Sequence, residues 1–247
     1  MRYQKIELGD PGEIIAGYTA ECNGNWGNNE PEDLKNYELL GDELGIDTDR
    51  MIRIRQKHTD NIACVTAADG GAGIIRESLE GFYDAMITRE SGLLLCVVTA
   101  DCTPVWLYDP VKRALALIHS GREGTKLKIA AKALRLMQDR YGTKAQDIKA
   151  AMGPALSKKH HEVQEKDLEG FDEYFSKEEQ ARFISTNERG RFNIDMETAI
   201  RISLERAGVE GRNIHAGGIC TYESKDLYSW RRDHDPRKRI LSFGALG

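Results

Sequence analysis

Apolar and polar positions follow two different rhythms along the chain, and each rhythm predicts a different kind of element. Apolar residues at helical spacing predict a helix over 31–44 that Gly45 stops, a second over 125–141, and a third after Asp195. Short, nearly continuous apolar runs are typical of strands buried on both faces. The predicted strands cover 13–19, 51–55, 61–66, 93–99, 105–108, 114–118, 212–220 and 238–243.

The helix over 125–141 has the strongest pattern. Thr125 can cap its first turn, and Gly142 can end it. A polar loop, Cys-Asn-Gly-Asn-Trp-Gly-Asn-Asn, covers 22–29. Strands and helices mix without a strict strand–helix–strand rhythm, and no repeat or linker divides the chain. We therefore expect one domain over 1–247 with a layered α/β fold rather than a doubly wound one.

The charge balance limits the partners that the chain can have. Its formal net charge is −5 at pH 7, which argues against nucleic acid, because nucleic-acid binding usually needs a basic face. A small anionic ligand in a locally basic pocket remains compatible with this charge. The longest strongly apolar run, 93–100, is far shorter than the about 20 residues that span a bilayer. We expect a cytoplasmic protein without a membrane partner, and the sequence does not specify its oligomeric state.

Three potential metal ligands lie at the ends of predicted strands, where a rigid scaffold displays functional side chains. They are His58, Cys102 and His119. Each one alone is more often structural, since a lone histidine is commonly hydrogen-bonded and a lone cysteine commonly packs in the core. If they converge, imidazole and thiolate suit zinc, and three ligands far apart in sequence leave a position open, as in catalytic zinc sites.

Two basic segments could hold an anion. His119-Ser-Gly-Arg-Glu-Gly-Thr125 leads into the strongest predicted helix, whose N-terminus favours negative charge, and Arg122 adds a fork of donors. The alternative is a plain glycine-rich turn. Near the C-terminus, Arg231 and Arg232 either belong to a solvated turn or reach a phosphate or carboxylate. The pair His160-His161 is interpreted as surface or loop.

Taken in order, several motifs are more specific than any one of them. They resemble the family variously named peptidoglycan editing factor, polyphenol oxidase or laccase-domain protein, and purine nucleoside phosphorylase. The match covers nearly the whole chain, from the loop at 23–27 to the C-terminal Arg-Arg pair. The motifs are Gln56-Lys-His58, Ala100-Asp-Cys102-Thr-Pro104, His119-Ser-Gly-Arg-Glu-Gly-Thr125, Gly153-Pro154 with Glu162-Val163, Ile219-Cys-Thr-Tyr222 and Tyr228-Ser-Trp-Arg-Arg232.

The resemblance implies a four-layer α/β/β/α arrangement of mixed sheets and a zinc site formed by His58, Cys102 and His119. It implies phosphorolysis of purine nucleosides, including adenosine, inosine and methylthioadenosine, together with adenosine deamination. The small-molecule partners would be a nucleoside and phosphate.

Further roles follow for residues of the same motifs. Gln56, Arg231 and Arg232 are expected to bind substrate, and Arg122 and Arg231 to hold phosphate. Glu123, four residues from His119, is the candidate for moving protons in deamination.

Two positions depart from the usual family pattern. The family form His-Ala-Gly-Trp-Arg-Gly-Thr is replaced here by a form with Arg122-Glu123 in place of Trp-Arg, so the charge at 123 is reversed. Thr59 replaces the glycine that commonly follows the first histidine. The expected metal ligands survive both changes, whereas substrate recognition is open to change.

Three other functions use the same residues. Cys102 could be a thiolate nucleophile with His119 or His58 as its base, hydrolysing an amide in a cell-wall peptide. A multicopper cluster is disfavoured because six histidines include no His-x-His pair, although a single copper fits the same ligands. The third is a non-catalytic binding module that zinc stabilises.

Overall fold

The computed structural model describes residues 2–20, Trp26 and 31–247. The loop predicted over 22–29 lies outside the described residues except for Trp26, whose buried ring packs edge-on against Tyr37. The helices are α1 Pro31–Leu44, α2 Arg122–Lys126, α3 Ile129–Tyr141, α4 Lys177–Phe183, α5 Met196–Arg206 and α6 Trp230–Asp233. The strands are β1 Tyr3–Lys5, β2 Ile14–Thr19, β3 Met51–Arg53, β4 Ile62–Cys64, β5 Ala85–Thr88, β6 Leu94–Thr99, β7 Thr103–Asp109, β8 Ala114–Ser120, β9 Lys149–Met152, β10 Glu162–Val163, β11 Ile184–Thr186, β12 Phe192–Ile194, β13 Ile214–His215 and β14 Ile240–Leu246.

Two large mixed sheets form the frame. One has the strand order β1-β2-β14-β6-β3, in which only the β3–β6 pair is parallel. The other has the order β13-β9-β7-β8-β5-β4, in which the β13–β9 and β4–β5 pairs are parallel. A small antiparallel sheet, β10-β12-β11, stands apart from both.

The cores between these elements define four layers. On β8, Leu115 and Leu117 join the cluster between the two large sheets. Ala116 and Ile118 point the other way, into a cluster that includes the apolar residues of α3 and α5. A third cluster packs α1, through Leu40, against the outer face of the five-stranded sheet. The chain therefore has the expected α/β/β/α order, with strands buried on both faces.

Two of the three predicted helices are confirmed. The helix over 31–44 has the expected bounds. The helix after Asp195 is α5, and the Asp195 carboxylate caps it by accepting the N–H of Thr198 at 3.1 Å. No helix in the described part of the chain is long and apolar enough to cross a membrane.

The helix predicted over 125–141 is wrong at its start. Lys128 has a left-handed φ of 58° and separates α2 from α3. Thr125 therefore lies inside α2, where its hydroxyl is 2.8 Å from that of Ser120, rather than capping a long helix. Because α3 begins only at Ile129, its N-terminus does not follow directly from the His119 segment. Apolar spacing continues through the break, since one left-handed residue leaves no mark on it.

The predicted closing strands are also adjusted. The one over 212–220 shortens to β13, while the one over 238–243 is shifted towards the C-terminus and becomes β14. After β13 the chain passes against the end of β9, and a Cβ on Gly217 would lie 2.5 Å from the carbonyl oxygen of Gly153. This close approach requires glycine and carries the following residues towards the start of β7.

Candidate metal centre and substrate cavity

Strand pairing brings the three expected ligands together. Cys102 immediately precedes β7, and His119 lies in β8 opposite Pro104 in the antiparallel register. His58 lies in the connection between β3 and β4, where it adopts a left-handed φ of 58°. The Cys102 sulfur is 3.7 Å from His58 Nε2, and the two histidine rings meet edge-on with centroids 4.9 Å apart. All three potential ligand atoms lie within 4.8 Å of one another and could hold a metal ion.

Asp84 supports two of these ligands and was missed by the sequence analysis. Its fully buried carboxylate lies 2.7 Å from Nδ1 of His119, which leaves the other ring nitrogen for Cys102 or a metal. The same carboxylate accepts the backbone N–H groups of Lys57, His58 and Thr59 at 3.2, 3.1 and 2.6 Å. One buried carboxylate therefore fixes both the loop of the first ligand and the ring of the third.

Thr59, which stands where the family commonly has glycine, takes part in holding Asp84. The Thr59 hydroxyl donates a further hydrogen bond to Asp84 at 2.8 Å, which a glycine at this position could not supply. The replacement leaves the ligands in place and adds one donor to the carboxylate that orients His119.

The electrostatics of the cluster favour charge separation. Burial alone would raise the pKa of Asp84, but hydrogen bonds from His119 and Thr59 and the charge of His119 lower it to about 2. Burial also opposes ionisation of Cys102, yet the charge of His119 and hydrogen bonds from both histidines lower its pKa to about 6. Burial alone would lower the pKa of His119, whereas Cys102 and Asp84 raise it to about 9. The sulfur is therefore predisposed to the thiolate form that binds metals.

Gly121 is required by the close packing of the ligands. A Cβ at this position would lie 2.6 Å from Cδ2 of His58 and 3.1 Å from the sulfur of Cys102. The glycine of the His-Ser-Gly motif thus serves the metal centre by leaving room for two ligands.

A cavity of about 750 Å³ opens beside this cluster. Arg53, Arg55 and Arg239 are among the residues that line it. Phe82 and Trp230 line it with rings that are 42% and 44% exposed. The cavity therefore combines potential metal ligands, anion-binding groups and aromatic surfaces in one space.

Phe82 carries two cations on its ring. The guanidinium carbon of Arg55 lies 5.3 Å from the ring centroid, and the ammonium nitrogen of Lys57 lies 4.7 Å from it. Sequence reasoning did not select these residues, because an arginine in a strand and a phenylalanine in a loop carry no motif of their own.

Gln56 lies in the cavity wall with its amide already bonded. The side-chain nitrogen donates to the carbonyl of Val98 at 2.7 Å, and its oxygen accepts the Val98 N–H at 2.8 Å. The pair continues the β3–β6 pairing beyond the end of β3, so Gln56 shapes the wall by holding two segments together.

The C-terminal arginines, Arg231 and Arg232, donate hydrogen bonds to backbone carbonyls. Arg231 donates from Nη1 to the carbonyls of His160 and Glu162, at 3.4 and 3.1 Å. Arg232 forms a bidentate pair with Asp233. Neither guanidinium group is among the described groups that line the cavity. Arg232 also donates to the backbone carbonyls of Thr221, Tyr222, Ser224 and Leu227.

Arg122 and Glu123 point into a network of charges. Arg122 binds Asp167 at 3.1 Å, and the Glu123 carboxylate binds Lys126 at 2.6 Å. Neither residue lines the cavity in the described structure. The family departure at 122–123 thus changes a surface ion-pair network beside the metal centre.

Asp101 connects the segment of Cys102 to the two C-terminal motifs, which contain Thr221 and Arg231. Its backbone has a left-handed φ of 83°, which is uncommon outside glycine. Its carboxylate accepts the hydroxyl of Thr221 at 2.6 Å and the backbone N–H of Arg231 at 2.7 Å. The residue next to the Cys102 sulfur is therefore tied to two segments that are far away in sequence.

Known proteins are similar to this chain over nearly its whole length. Residues 16–246 match the family described as multi-copper polyphenol oxidoreductase laccase. The chain belongs to this family. A relative named purine nucleoside phosphorylase, from Streptomyces coelicolor, is 35% identical over 94% of this chain and 84% of its own length. Purine nucleoside phosphorylase YlmD from Bacillus subtilis is 27% identical over 94% of this chain and 88% of its own length.

Two solved structures share the fold of this chain. YlmD from Geobacillus stearothermophilus superposes with a TM-score of 0.89 at 26% identity, covering 99% of this chain and 98% of its own. The Bacillus licheniformis hypothetical protein YfiH gives a TM-score of 0.89 at 27% identity, covering 99% of this chain and 96% of its own. The family assignment and the mixed α/β fold expected from the motifs are both confirmed.

Proposed function

We propose that this member of the laccase family is a zinc-dependent purine nucleoside phosphorylase that acts on adenosine, inosine and methylthioadenosine. The observation that carries the proposal is the cavity, which joins the His58–Cys102–His119 cluster to guanidinium groups and two half-exposed aromatic rings. Phosphorolysis needs groups for an anion, a flat base and a polarised oxygen, and all three kinds are present. The names of the two relatives, both purine nucleoside phosphorylases, support the same activity.

Zinc fits the donor set formed by two imidazoles and a thiolate. Asp84 orients one imidazole, and Gly121 leaves space for the sulfur and the other. When bound, zinc supplies Lewis-acid polarisation of a substrate oxygen. Copper fits these ligands as well, and metal analysis of the protein purified without added metal distinguishes the two.

The cavity's own residues would bind and align the two substrates. Arg55 and Arg239 are suited to an incoming phosphate, because guanidinium groups donate in pairs to its oxygens. Phe82 and Trp230 offer ring faces for the purine. In this geometry a phosphate oxygen forms a bond to the anomeric carbon while the bond from that carbon to the base nitrogen breaks. The electron pair leaves with the base, which takes up a proton, and the other product is the sugar 1-phosphate.

The cavity arginines replace the residues first expected to hold phosphate. Neither Arg122, which pairs with Asp167, nor Arg231, which donates to backbone carbonyls, is among the residues that line the cavity, whereas Arg55 and Arg239 are. Their expected roles as phosphate ligands are therefore weaker proposals than those of Arg55 and Arg239. Gln56 is assigned to holding the cavity wall, and Arg232 to holding the segment over 221–227.

Adenosine deamination is a subsidiary proposal. Glu123 was expected to move protons, but its carboxylate is half-exposed and binds Lys126 at 2.6 Å. Deamination by Glu123 requires that carboxylate to leave its partner and turn towards the substrate. The ion pair therefore favours phosphorolysis as the main reaction.

A second candidate function has its own supporting observation. Cys102, His119 and Asp84 are connected in series by hydrogen bonds, and the pKa of the thiol is lowered to about 6. This order of groups is that of a cysteine hydrolase, in which the carboxylate orients the histidine and the histidine activates the sulfur. A metal-free protein acting on the amide of a cell-wall peptide is the corresponding alternative.

Product analysis separates these functions. Zinc-loaded protein is incubated with adenosine, inosine or methylthioadenosine, with and without phosphate, next to Cys102→Ala and the control Cys64→Ala. Cys64 is exposed and outside the cavity, where its sulfur contacts the Tyr141 hydroxyl. We expect phosphate-dependent release of free base from the wild type and the control only.

Other outcomes point elsewhere. Ammonia without free base supports deamination alone. Turnover of a cell-wall peptide by chelator-treated protein, lost in Cys102→Ala, supports the hydrolase. The absence of nucleoside turnover at full zinc occupancy contradicts the phosphorylase proposal.

A further inference from the structure

A second group of potential metal ligands lies outside the cavity. His160, Cys220 and Glu223 offer a ring nitrogen, a sulfur and a carboxylate oxygen that all lie within 4.8 Å of one another. His160 Nε2 is 2.8 Å from the Glu223 carboxylate. The first residue precedes β10, and the other two follow β13, so the group joins two separate connections of the fold. It shares no residue with the first cluster.

Two of these three residues, His160 and Cys220, are held in place by contacts with their neighbours. The His160 ring stacks on Tyr222 with centroids 4.3 Å apart and an angle of 18° between the planes. Cys220 forms an isolated bridge with Ala155, and its sulfur accepts the backbone N–H of Ser157 at 3.5 Å. A donor set held by stacking and backbone contacts loses little conformational freedom when an ion binds.

The chemistry of the three donors selects the ion. Thiolate and imidazole suit zinc, and a carboxylate is a common additional ligand. With zinc bonds of about 2.0–2.3 Å, ligand atoms of a tetrahedral site lie roughly 3.3–3.7 Å apart. The distance between His160 Nε2 and the Glu223 oxygen is shorter than this, because the two atoms share a hydrogen bond. An ion would replace that hydrogen bond after small movements of the two side chains.

Lys159 competes for the same carboxylate. Its ammonium nitrogen is 2.8 Å from the Glu223 oxygen that faces His160. The Lys159 side chain is 75% exposed, so it can turn into solvent when a cation arrives. Its charge opposes that cation, and removing the charge should strengthen binding.

We propose that His160, Cys220 and Glu223 bind a second zinc ion, distinct from the one at His58, Cys102 and His119. Such an ion holds the connection that carries Thr221, and the Thr221 hydroxyl binds Asp101 beside Cys102. The second site thereby fixes the segment around Thr221, which holds Asp101 next to the first site. This proposal stands whether or not nucleosides are the substrate.

Metal stoichiometry of the full-length protein tests it. The chain is equilibrated with excess zinc, passed through a desalting column and analysed by mass spectrometry for bound metal. We expect two equivalents in the wild type and in the control Cys64→Ser. We expect one in Cys220→Ser and in Glu223→Gln, and one in Cys102→Ser. Titration with zinc should show Lys159→Gln binding the second equivalent up to about fivefold more tightly, because a competing exposed charge is gone.

Cobalt gives a spectroscopic readout of the sulfur. In Cys102→Ser loaded with Co²⁺, a thiolate-to-cobalt charge-transfer band should remain in the near ultraviolet. The band should be absent when Cys220→Ser is added to that background. Because the Glu223 side chain is half-exposed, Glu223→Gln is expected to keep the fold, and circular dichroism of each variant checks this.

The outcomes that overturn the proposal are specific. A single equivalent of zinc in the wild type that is lost in Cys102→Ser and kept in Cys220→Ser overturns it. So does a second equivalent that survives in both Cys220→Ser and Glu223→Gln, since the ion then lies elsewhere. Loss of the second equivalent in the Cys64→Ser control also contradicts this assignment.

Discussion

Asp84 Oδ1 lies 2.7 Å from Nδ1 of His119, and both side chains are buried. The same carboxylate receives three backbone N–H groups from the loop that carries His58. Two potential metal ligands, one in a loop and one in β8, thus depend on one carboxylate outside the group itself. Contacts of this kind set the orientation and basicity of a metal-bound imidazole.

Replacement of this carboxylate should weaken metal binding before it destroys the fold. In Asp84→Asn, the amide keeps one acceptor but loses the charge that holds His119 and the loop. We expect zinc affinity to fall by about 10–100-fold, measured by competition with a chromogenic chelator. Asp172→Asn, at an exposed position, is the control. Unchanged affinity in Asp84→Asn would show that Asp84 acts only on folding.

The hydroxyl of Thr59 should contribute to the free energy of unfolding through its hydrogen bond to Asp84. Thr59→Val keeps the shape and the backbone hydrogen bond to Asp84 but removes the side-chain donor. A hydrogen bond to a charged group contributes about 1.5–3 kcal/mol, so we expect a loss of unfolding free energy in that range. Urea denaturation measures it, with Thr59→Ser expected to restore the value. A Val variant as stable as the wild type would mean that this hydroxyl is dispensable.

Asp101 should act as a positioning residue for Cys102. Asp101→Asn tolerates the left-handed φ but weakens the hydrogen bonds to Thr221 and Arg231. We expect bound zinc to stay the same while kcat falls by about tenfold, as for a loss of roughly 1.4 kcal/mol in transition-state stabilisation. Thr221→Val should reproduce the effect, because it removes the other partner of the same bond. A parallel loss of zinc in both variants contradicts a purely positioning role.

The convergence of the three potential metal ligands and most of the frame were predictable because they leave simple marks in sequence. Strands buried on both faces are continuous apolar runs, and the ends of β7 and β8 place Cys102 and His119 side by side once those strands pair. Asp84 left no such mark. It lies just before β5, where a carboxylate is as typical of an exposed turn as of a buried hydrogen-bonding centre.

Arginine function was the least predictable property. The sequence shows where Arg231 and Arg232 lie but not that nearby backbone carbonyls occupy their donors. Conversely, Arg55 looked like an ordinary strand-end residue until folding placed it over Phe82 in the cavity wall. Long flexible side chains take their role from tertiary contacts, whereas cysteine and histidine carry much of theirs in their own chemistry.

The cavity arginines should determine the affinity for phosphate. In Arg55→Gln, the loss of a cationic donor beside the metal cluster is expected to raise the KM for phosphate by about tenfold, or roughly 1.4 kcal/mol. The KM for the nucleoside should change less. Initial rates at varied phosphate measure both, with Arg189→Gln as the exposed control. An unchanged phosphate KM here and in Arg239→Gln would move the anion site away from this wall.

Glu197 should make folding stability depend on pH near the segment that leads to Cys220. Burial raises the pKa of its carboxyl, and Asp195 raises it further, while the N–H groups of Gly217 and Gly218 and the charge of Arg201 act in the opposite direction. The folded protein therefore holds this proton more tightly than the unfolded chain, whose glutamate titrates near pH 4.3. Stability from that proton is fully present below this value and is lost as pH rises through the raised folded pKa.

Glu197→Gln removes this titration while keeping the shape of the side chain and its acceptor for the glycine N–H groups. We expect the unfolding free energy of the wild type to fall relative to that of the variant as the pH is raised from 4 to 7. Urea denaturation of both proteins, metal-free, at several pH values measures this difference, and the other titrating groups cancel because they are common to both. A difference that stays constant with pH, or that grows in favour of the wild type, would show that the glycine N–H groups and Arg201 outweigh burial at this position.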